Sequence, residues 1–174
     1  MTEATTRGGQ PPGLVVAIDG PSGTGKSTIA KRVAACKGLA YLDTGAMYRA
    51  LTWWCLHQGI DLADADAVAD AARTMPLRVG TDPREPTFAV GDHDVTADIR
   101  TSRISTHVSA VATNLAVRAE LQHRQRQQIA AETVPGGHSK GRGIVAEGRD
   151  ITTVVAPDAP VRILLVADEQ IRLA

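Results

Sequence analysis

Residues 15–38 read VVAIDGPSGTGKSTIAKRVAACKG, an apolar run that breaks into glycines and then resumes with helical spacing. Leu14 to Ile18 are continuously apolar and partly β-branched, the pattern of a strand buried on both faces. From Lys26 to Lys37 the spacing predicts a helix, with Ile29 and Val33 four apart and Gly38 as its stop. Between strand and helix, Gly20–Ser27 reads G-P-S-G-T-G-K-S, which fits G-x-x-x-x-G-K-[ST] at every fixed position. Glycines allow positive φ and close backbone approach, so successive amides curl round a phosphate. The helix N-terminus adds unpaired N–H groups and a positive dipole end. Lys26 then bridges the β- and γ-phosphates of a nucleoside triphosphate, and the Ser27 hydroxyl meets Mg²⁺. The competing reading is an ordinary glycine-rich strand-to-helix turn. The full motif in its expected setting argues against it.

Outward from this loop, Ala40–Leu42 reads as a second short strand. Thr44 is the expected N-cap of a helix with Met47, Leu51, Trp54 and Cys55 on one face, ending near Gly59. DLADADAVADAA predicts a further short helix with early acidic residues. LRV, TFAV and HDV, between Pro76 and Arg100, are short strand-like pieces separated by Gly, Pro and Asp, as in a small antiparallel insert. Ile104, Val108 and Val111 restore helical spacing, followed by a polar helix from about Val117 to Glu132. VPGGHSKGRG reads as a flexible connection, and IVAEGRD and VRILLVAD as two more buried strands. Strands alternating with helices predict an α/β fold with a mostly parallel central sheet, beside which the β insert forms a lobe. The expected division is a disordered tail over 1–13 and a single domain over 14–174. Its core spans 14–60 and 143–174, and its lobe about 61–135.

With 174 residues and 19 basic against 19 acidic side chains, the chain has no net field that marks it for nucleic acid or an anionic membrane. Arginine supplies 15 of those 19 basic residues, which suits planar anion recognition but also fits coding preference. Cys36 and Cys55 lack metal or redox spacing and read as buried free thiols. The start, MTEATTRGGQPPG, has no basic segment leading into an apolar core, and no stretch approaches membrane-spanning length. A soluble cytoplasmic protein, monomeric and without nucleic-acid or membrane partners, is expected.

The acceptor of the phosphate must be sought elsewhere. A GTPase switch needs an Asn-Lys-x-Asp reader, and the single asparagine, Asn114, lies in TNLA. A nucleic-acid motor needs basic or aromatic strand contacts, which are missing. A small-molecule kinase remains, and it needs arginines at several chain positions to bring two polyanions together. Three segments qualify: LDTGAMYR with Thr44 and Arg49, SAVATNLAVR with Ser109 and Arg118, and VAEGRD with Glu147, Arg149 and Asp150 at a strand end. Each has a bland counterpart: a helix cap, solvated surface charge, or a structural ion pair between Arg149 and Asp150.

IDGPSGTGKST, YLDTGAMYRA, DVTADIRT and VAEGRDITTVVAPDAPVRILLVAD together resemble the bacterial cytidylate kinases, in the family's order and nearly without interruption from Val15 onward. The resemblance implies a P-loop kinase fold and phosphate transfer from ATP, with Mg²⁺, to CMP or dCMP. It implies that Gly20, Pro21, Ser22, Gly23, Thr24, Gly25, Lys26, Ser27 and Thr28 bind the ATP phosphates. Thr44, Arg49 and Arg149 would face the acceptor's phosphate and ribose, and Ser109, Arg118 and Asp150 would read cytosine. Lys26 and Arg149 are the expected catalytic charges, and Glu147 the expected holder of a Mg²⁺-bound water. The alternatives are a uridylate or other small-metabolite kinase, or a nucleotide-binding module with impaired catalysis. The family continues with an arginine-bearing lid, a last strand and a terminal helix, whereas this chain ends in ADEQIRLA with Arg172 at the threshold of the lid. The expectation is nucleotide binding with poor turnover.

Overall fold

A computed structural model of the chain describes residues 13–166. The tail before Gly13, the last helix begun in ADEQIRLA, and Arg172 lie outside that range.

Four parallel strands form the central sheet: β1 (Leu14–Asp19), β2 (Ala40–Asp43), β6 (Gly143–Gly148) and β7 (Val161–Leu164), in the order β2-β6-β1-β7. β1 and β6 sit in the middle and β6 is buried throughout, as continuous apolar runs require when both faces are covered. Alternation along β1 divides the core. Val16 and Ile18 face α1 (Lys26–Lys37), where Ala30 and Ala34 approach closely, and Ala17 faces α2 (Thr44–His57) on the other side. Alanine forms the inner face of α1, and Ile29 is 41% exposed, because the helix runs too close to the sheet for longer side chains. Gly38 ends α1 in the left-handed conformation, as expected.

The second sheet is antiparallel, β3 (Leu77–Gly80), β4 (Thr87–Val90) and β5 (His93–Asp94) in sequence order, and matches the expected insert. α3 (Ala65–Thr74) precedes it. A 3-10 turn (Asp98–Arg100), α4 (Ser102–Ala112) and α5 (Leu115–Glu132) follow and carry the chain back to β6. Val90, Val95, Ile99, Val111, Val117 and Leu121 join Met47, Leu51 and Cys55 in one continuous core.

Four expectations need correction. The N-cap of α2 is Asp43, whose Oδ1 accepts from the Ala46 amide, so Thr44 is the first helical residue. Cys36 is exposed, on the outer face of α1, while Cys55 is buried and its thiol is pushed up to about 11 by burial. The connection after α5 is tied down: the Glu132 carboxylate accepts from the His138 and Ser139 amides, and Ser139 is fully buried. β7 is largely exposed, since among the described residues it pairs only with β1 and has an open edge.

Candidate active site

The site lies at the C-terminal ends of the central strands, where parallel sheets leave a crevice for ligands. After β1, Gly23 and Gly25 take φ of 81° and 77°, and Gly25 directly precedes α1. A Cβ at Gly25 would meet nothing within 4 Å, so its positive φ, rather than space, demands glycine there. The Pro21 carbonyl accepts from Thr24 Oγ1 at 2.9 Å and from Lys26 Nζ at 3.4 Å, which folds the loop over its own lysine. Ser27 and Thr28 are exposed in the first turn of α1.

Lys26 Nζ also reaches Glu147 Oε2 at 3.7 Å. The Glu147 side chain is buried, and its other oxygen accepts from the Tyr41 hydroxyl at 2.5 Å. Burial, then the charges of Asp43 and Glu147, raise the Tyr41 phenol far above its ordinary value, so it stays a donor. Thr44 Oγ1 donates to the Glu147 carbonyl at 2.8 Å, which locks the start of α2 to the end of β6.

Asp19, at the end of β1, holds the turn after β6. Its carboxylate accepts from the Ile151 amide at 2.9 Å, the Thr152 amide at 2.8 Å and the Thr152 hydroxyl at 2.6 Å. That anchor places Arg149 and Asp150 just beyond the strand. Arg118 on α5 donates to Asp150 Oδ2 at 2.7 Å, and Gln122 donates to the same oxygen at 2.9 Å. Asp150 therefore pairs with Arg118 rather than with its neighbour Arg149, which is exposed. Behind them the Tyr48 hydroxyl and the Gln125 amide are buried without hydrogen-bond partners among the described residues. Burial, then the Asp150 charge, pushes the Tyr48 phenol up.

Three cavities adjoin here. A basin of about 540 Å³ is lined by Gly20, Pro21, Ser22, Leu164 and Arg149. A central cavity of about 150 Å³ gathers Lys26, Ser27, Arg49 and Arg149 with Asp43, Glu147 and Arg100. A third, of about 370 Å³, is lined by Thr44, Tyr48, Arg49, Ser109, Arg118, Arg149 and Asp150. Arg149 borders all three. Every acceptor-side residue expected from the sequence thus lines one cavity, and Lys26 and Ser27 line the one beside it.

Arg49 currently donates to the Ile99 carbonyl at 3.3 Å and Ser105 Oγ at 2.8 Å. Sequence reasoning missed Asp19, Tyr41, Asp43, Tyr48, Arg100 and Gln122. Tyr41, Asp43 and Tyr48 lay within the quoted YLDTGAMYRA, Arg100 within DVTADIRT, and Asp19 directly before the glycine loop, so position relative to a motif was the available signal. No helix among the described residues is long and apolar enough to cross a membrane.

The family model for Cytidylate kinase matches residues 16–174. The chain is 48% identical over 163 residues to a cytidylate kinase of Streptomyces avermitilis, covering 94% of this chain and 67% of that protein. Against a cytidylate kinase of Streptomyces coelicolor the identity is 50% over 163 residues, with the same shares of 94% and 67%. A bifunctional pantoate ligase/cytidylate kinase of Trichormus variabilis is 46% identical over 156 residues, 88% of this chain and 27% of that protein. The chain spans about two thirds of the length of the two Streptomyces proteins.

Proposed function

The chain belongs to the cytidylate kinase family, and we propose that its protein transfers the γ-phosphate of ATP to CMP or dCMP, giving CDP or dCDP. The observation that carries this reading is the row of three cavities joined at Arg149, with the phosphate loop at one end and the Arg118–Asp150 pair at the other. A donor held at the first and an acceptor at the last would meet in the small central cavity.

The assigned roles follow from chemistry. The amides of Gly20–Thr28 and the charge of Lys26 hold the triphosphate. To do so Lys26 exchanges Glu147 for phosphate oxygen. Arg49 and Arg149 hold the acceptor's phosphate, with Thr44 beside it. Cytosine presents an amine that needs an acceptor and a carbonyl that needs a donor, and Asp150 with Arg118 and Ser109 offers both. A base of opposite polarity leaves these groups unpaired, which is a physical source of selectivity. Ser27, Asp43 and Glu147 bring hard oxygen donors to one cavity, the donor type that Mg²⁺ prefers. When bound, Mg²⁺ neutralises phosphate charge.

An acceptor phosphate oxygen attacks the γ-phosphorus, forming the new P–O bond, while the bond to the β-phosphate oxygen breaks and ADP leaves. The attacking oxygen already bears negative charge, so no residue is needed as a general base. Lys26 and Arg149 offset the charge that spreads over the transferred group.

Rates of the full-length protein with CMP, dCMP, UMP, AMP and shikimate test the proposal. CMP or dCMP should be fastest. Faster turnover of UMP, AMP or shikimate, or ATP binding without turnover of any acceptor, would overturn it. Arg118→Ala should raise KM for CMP roughly tenfold, the worth of a charge-assisted hydrogen bond, and leave KM for ATP within about twofold.

A further inference from the structure

The C-terminal half of α2 carries the chain's two tryptophans, and none of the roles above uses them. Trp53 and His57, one turn apart, stack with ring centroids 4.6 Å apart and planes within 10° of each other. His93 of β5 leans on both rings, 5.5 Å from Trp53 and 4.9 Å from His57. Beside this stack lies a cavity of about 370 Å³, the volume also found for the acceptor cavity. It shares no lining residue with the three cavities of the active site. α2 supplies Trp53, Leu56 and His57 to it, while the 3-10 turn and α4 supply Asp98, Arg103 and Ile104. Its size falls within the roughly 300–1,000 Å³ of pockets that hold small molecules.

The polar groups of this cavity are free. Asp98 and Arg103 are exposed, and they engage neighbours through their backbone carbonyls, which accept from the Thr101 and Thr106 hydroxyls at 2.8 and 2.9 Å. Among the described residues, neither the Asp98 carboxylate nor the Arg103 guanidinium has a hydrogen-bond or ion-pair partner, and they do not pair with each other. Opposite charges that line one cavity without joining leave an acceptor and a donor fork for a ligand set between them. The walls beneath them are firm, since Ile104 and the neighbouring Ile99 are buried. Arg49, one turn before Trp53 on α2, crosses the same seam to the Ile99 carbonyl and Ser105 Oγ, so a ligand here rests on the contact that carries an acceptor-site arginine.

We propose that this cavity is a second nucleotide site, which takes a guanine nucleotide with its base against Trp53 and His57, its base donors on Asp98 and its phosphate on Arg103. Each part follows from the chemistry of the lining. An aromatic wall stacks a planar base of any kind. An ionised carboxylate only accepts, and among the common bases guanine alone presents two adjacent donors, its ring N–H and its exocyclic amine. A phosphate offers a planar guanidinium two parallel hydrogen bonds. The inference goes beyond the kinase reading and does not depend on which acceptor that reaction uses.

The test is calorimetry on the full-length protein, first saturated with CMP and a non-hydrolysable ATP analogue so that the active site is filled. GMP, AMP and guanosine are then the probes. GMP should bind once per chain, roughly tenfold more tightly than AMP or guanosine, since each of these lacks one of the charge-assisted contacts. Arg103→Met should lower GMP affinity roughly tenfold and leave guanosine affinity unchanged. Asp98→Asn should bring GMP down to the affinity of AMP. Both side chains are exposed, so both variants should fold and bind CMP as the unaltered protein does. No GMP binding to the saturated protein, GMP binding that neither variant weakens, or equal affinity for GMP and AMP in the unaltered protein each overturns the proposal. If the protein leaves CMP unbound, the kinase reading falls instead, and the two variants, which lie outside the active site, still decide this one with GMP added over the ATP analogue alone.

Discussion

Two buried glutamates flank the central strand β6, Glu132 at its entry and Glu147 near its exit, 4% and 2% exposed. They satisfy their charges in opposite ways. Glu132 accepts from Thr81 Oγ1 at 2.7 Å, from the His138 amide at 3.1 Å and from the Ser139 amide at 2.9 Å. Ser139 Oγ in turn donates to the Glu132 carbonyl at 2.9 Å and accepts from the Gly143 amide at 3.1 Å. The loop closes so tightly on the carboxylate that a Cβ at Gly137 would lie 2.6 Å from Glu132 Oε2. Glu147 has one hydrogen-bond donor, Tyr41, and one longer ion-pair contact, to Lys26 at 3.7 Å, on the rim of a cavity. A carboxylate saturated by backbone donors holds the fold together. One whose charge is met by a single long contact to a cavity lysine keeps capacity for a ligand.

The largest expected effect breaks this contrast on the functional side. Glu147→Gln preserves shape and the Tyr41 contact but removes the charge that positions Lys26. The turnover of full-length protein should fall roughly a hundredfold, the usual cost of losing one preorganised electrostatic group. Its thermal midpoint should stay within about 3 °C, since a neutral amide still packs and bonds there. A large loss of midpoint with unchanged kinetics would erase the distinction.

On the structural side, Glu132→Gln cannot be accommodated by flipping. Both carboxylate oxygens face backbone N–H donors, so either amide orientation sets donor against donor. The cost should be about 2–3 kcal/mol, or roughly 5–10 °C in thermal midpoint for a chain of this size. CMP kinetics per folded molecule should be unaltered at 25 °C.

Acid sharpens the same test. Burial pushes the Glu132 carboxyl up, but the hydrogen bonds from Ser139, Thr81 and His138 outweigh it and hold the group below its ordinary 4.5. The unfolded chain therefore takes up its proton first as pH falls past that value. The stabilisation is fully present above it and disappears on descent through the lower folded value. The thermal midpoint should decline below about pH 5, and less steeply in Glu132→Gln.

These glutamates also mark where sequence reading succeeds and stops. The phosphate loop was legible because its signal is local: an apolar strand, spaced glycines and a lysine opening a helix. The order of elements and the small antiparallel sheet followed from changes in hydrophobic period. Arg49, Ser109, Arg118, Arg149 and Asp150 were legible only as motif members, and the fold brings them to one cavity. Glu132 read as the end of a polar helix, since its partner Thr81 lies 51 residues earlier and no spacing rule connects them. Its loop looked flexible because Gly and Ser are read by composition, whereas a buried charge organises them. Arg100 lay inside the quoted DVTADIRT segment, but no spacing rule tied it to Asp43, 57 residues away.

The smallest expected effect removes one donor from each glutamate. Thr81→Val takes a hydroxyl from Glu132, and Tyr41→Phe takes one from Glu147. Both carboxylates are buried, so each change should destabilise by about 1 kcal/mol, and the two thermal shifts should be similar. Kinetics then separates them. Thr81→Val leaves Glu132 with two backbone donors far from the phosphate loop, and CMP turnover should not change. Tyr41→Phe leaves Glu147 with Lys26 as its sole partner, so the lysine is held more tightly by the carboxylate and is slower to exchange it for phosphate. A loss of roughly threefold in kcat/KM for ATP is the expected size, less than one hydrogen bond's worth because the lysine keeps its charge. Equal kinetic losses in both variants would mean that Glu132 reaches the site after all, and that burial of a carboxylate, rather than the kind of partner it has, sets its role.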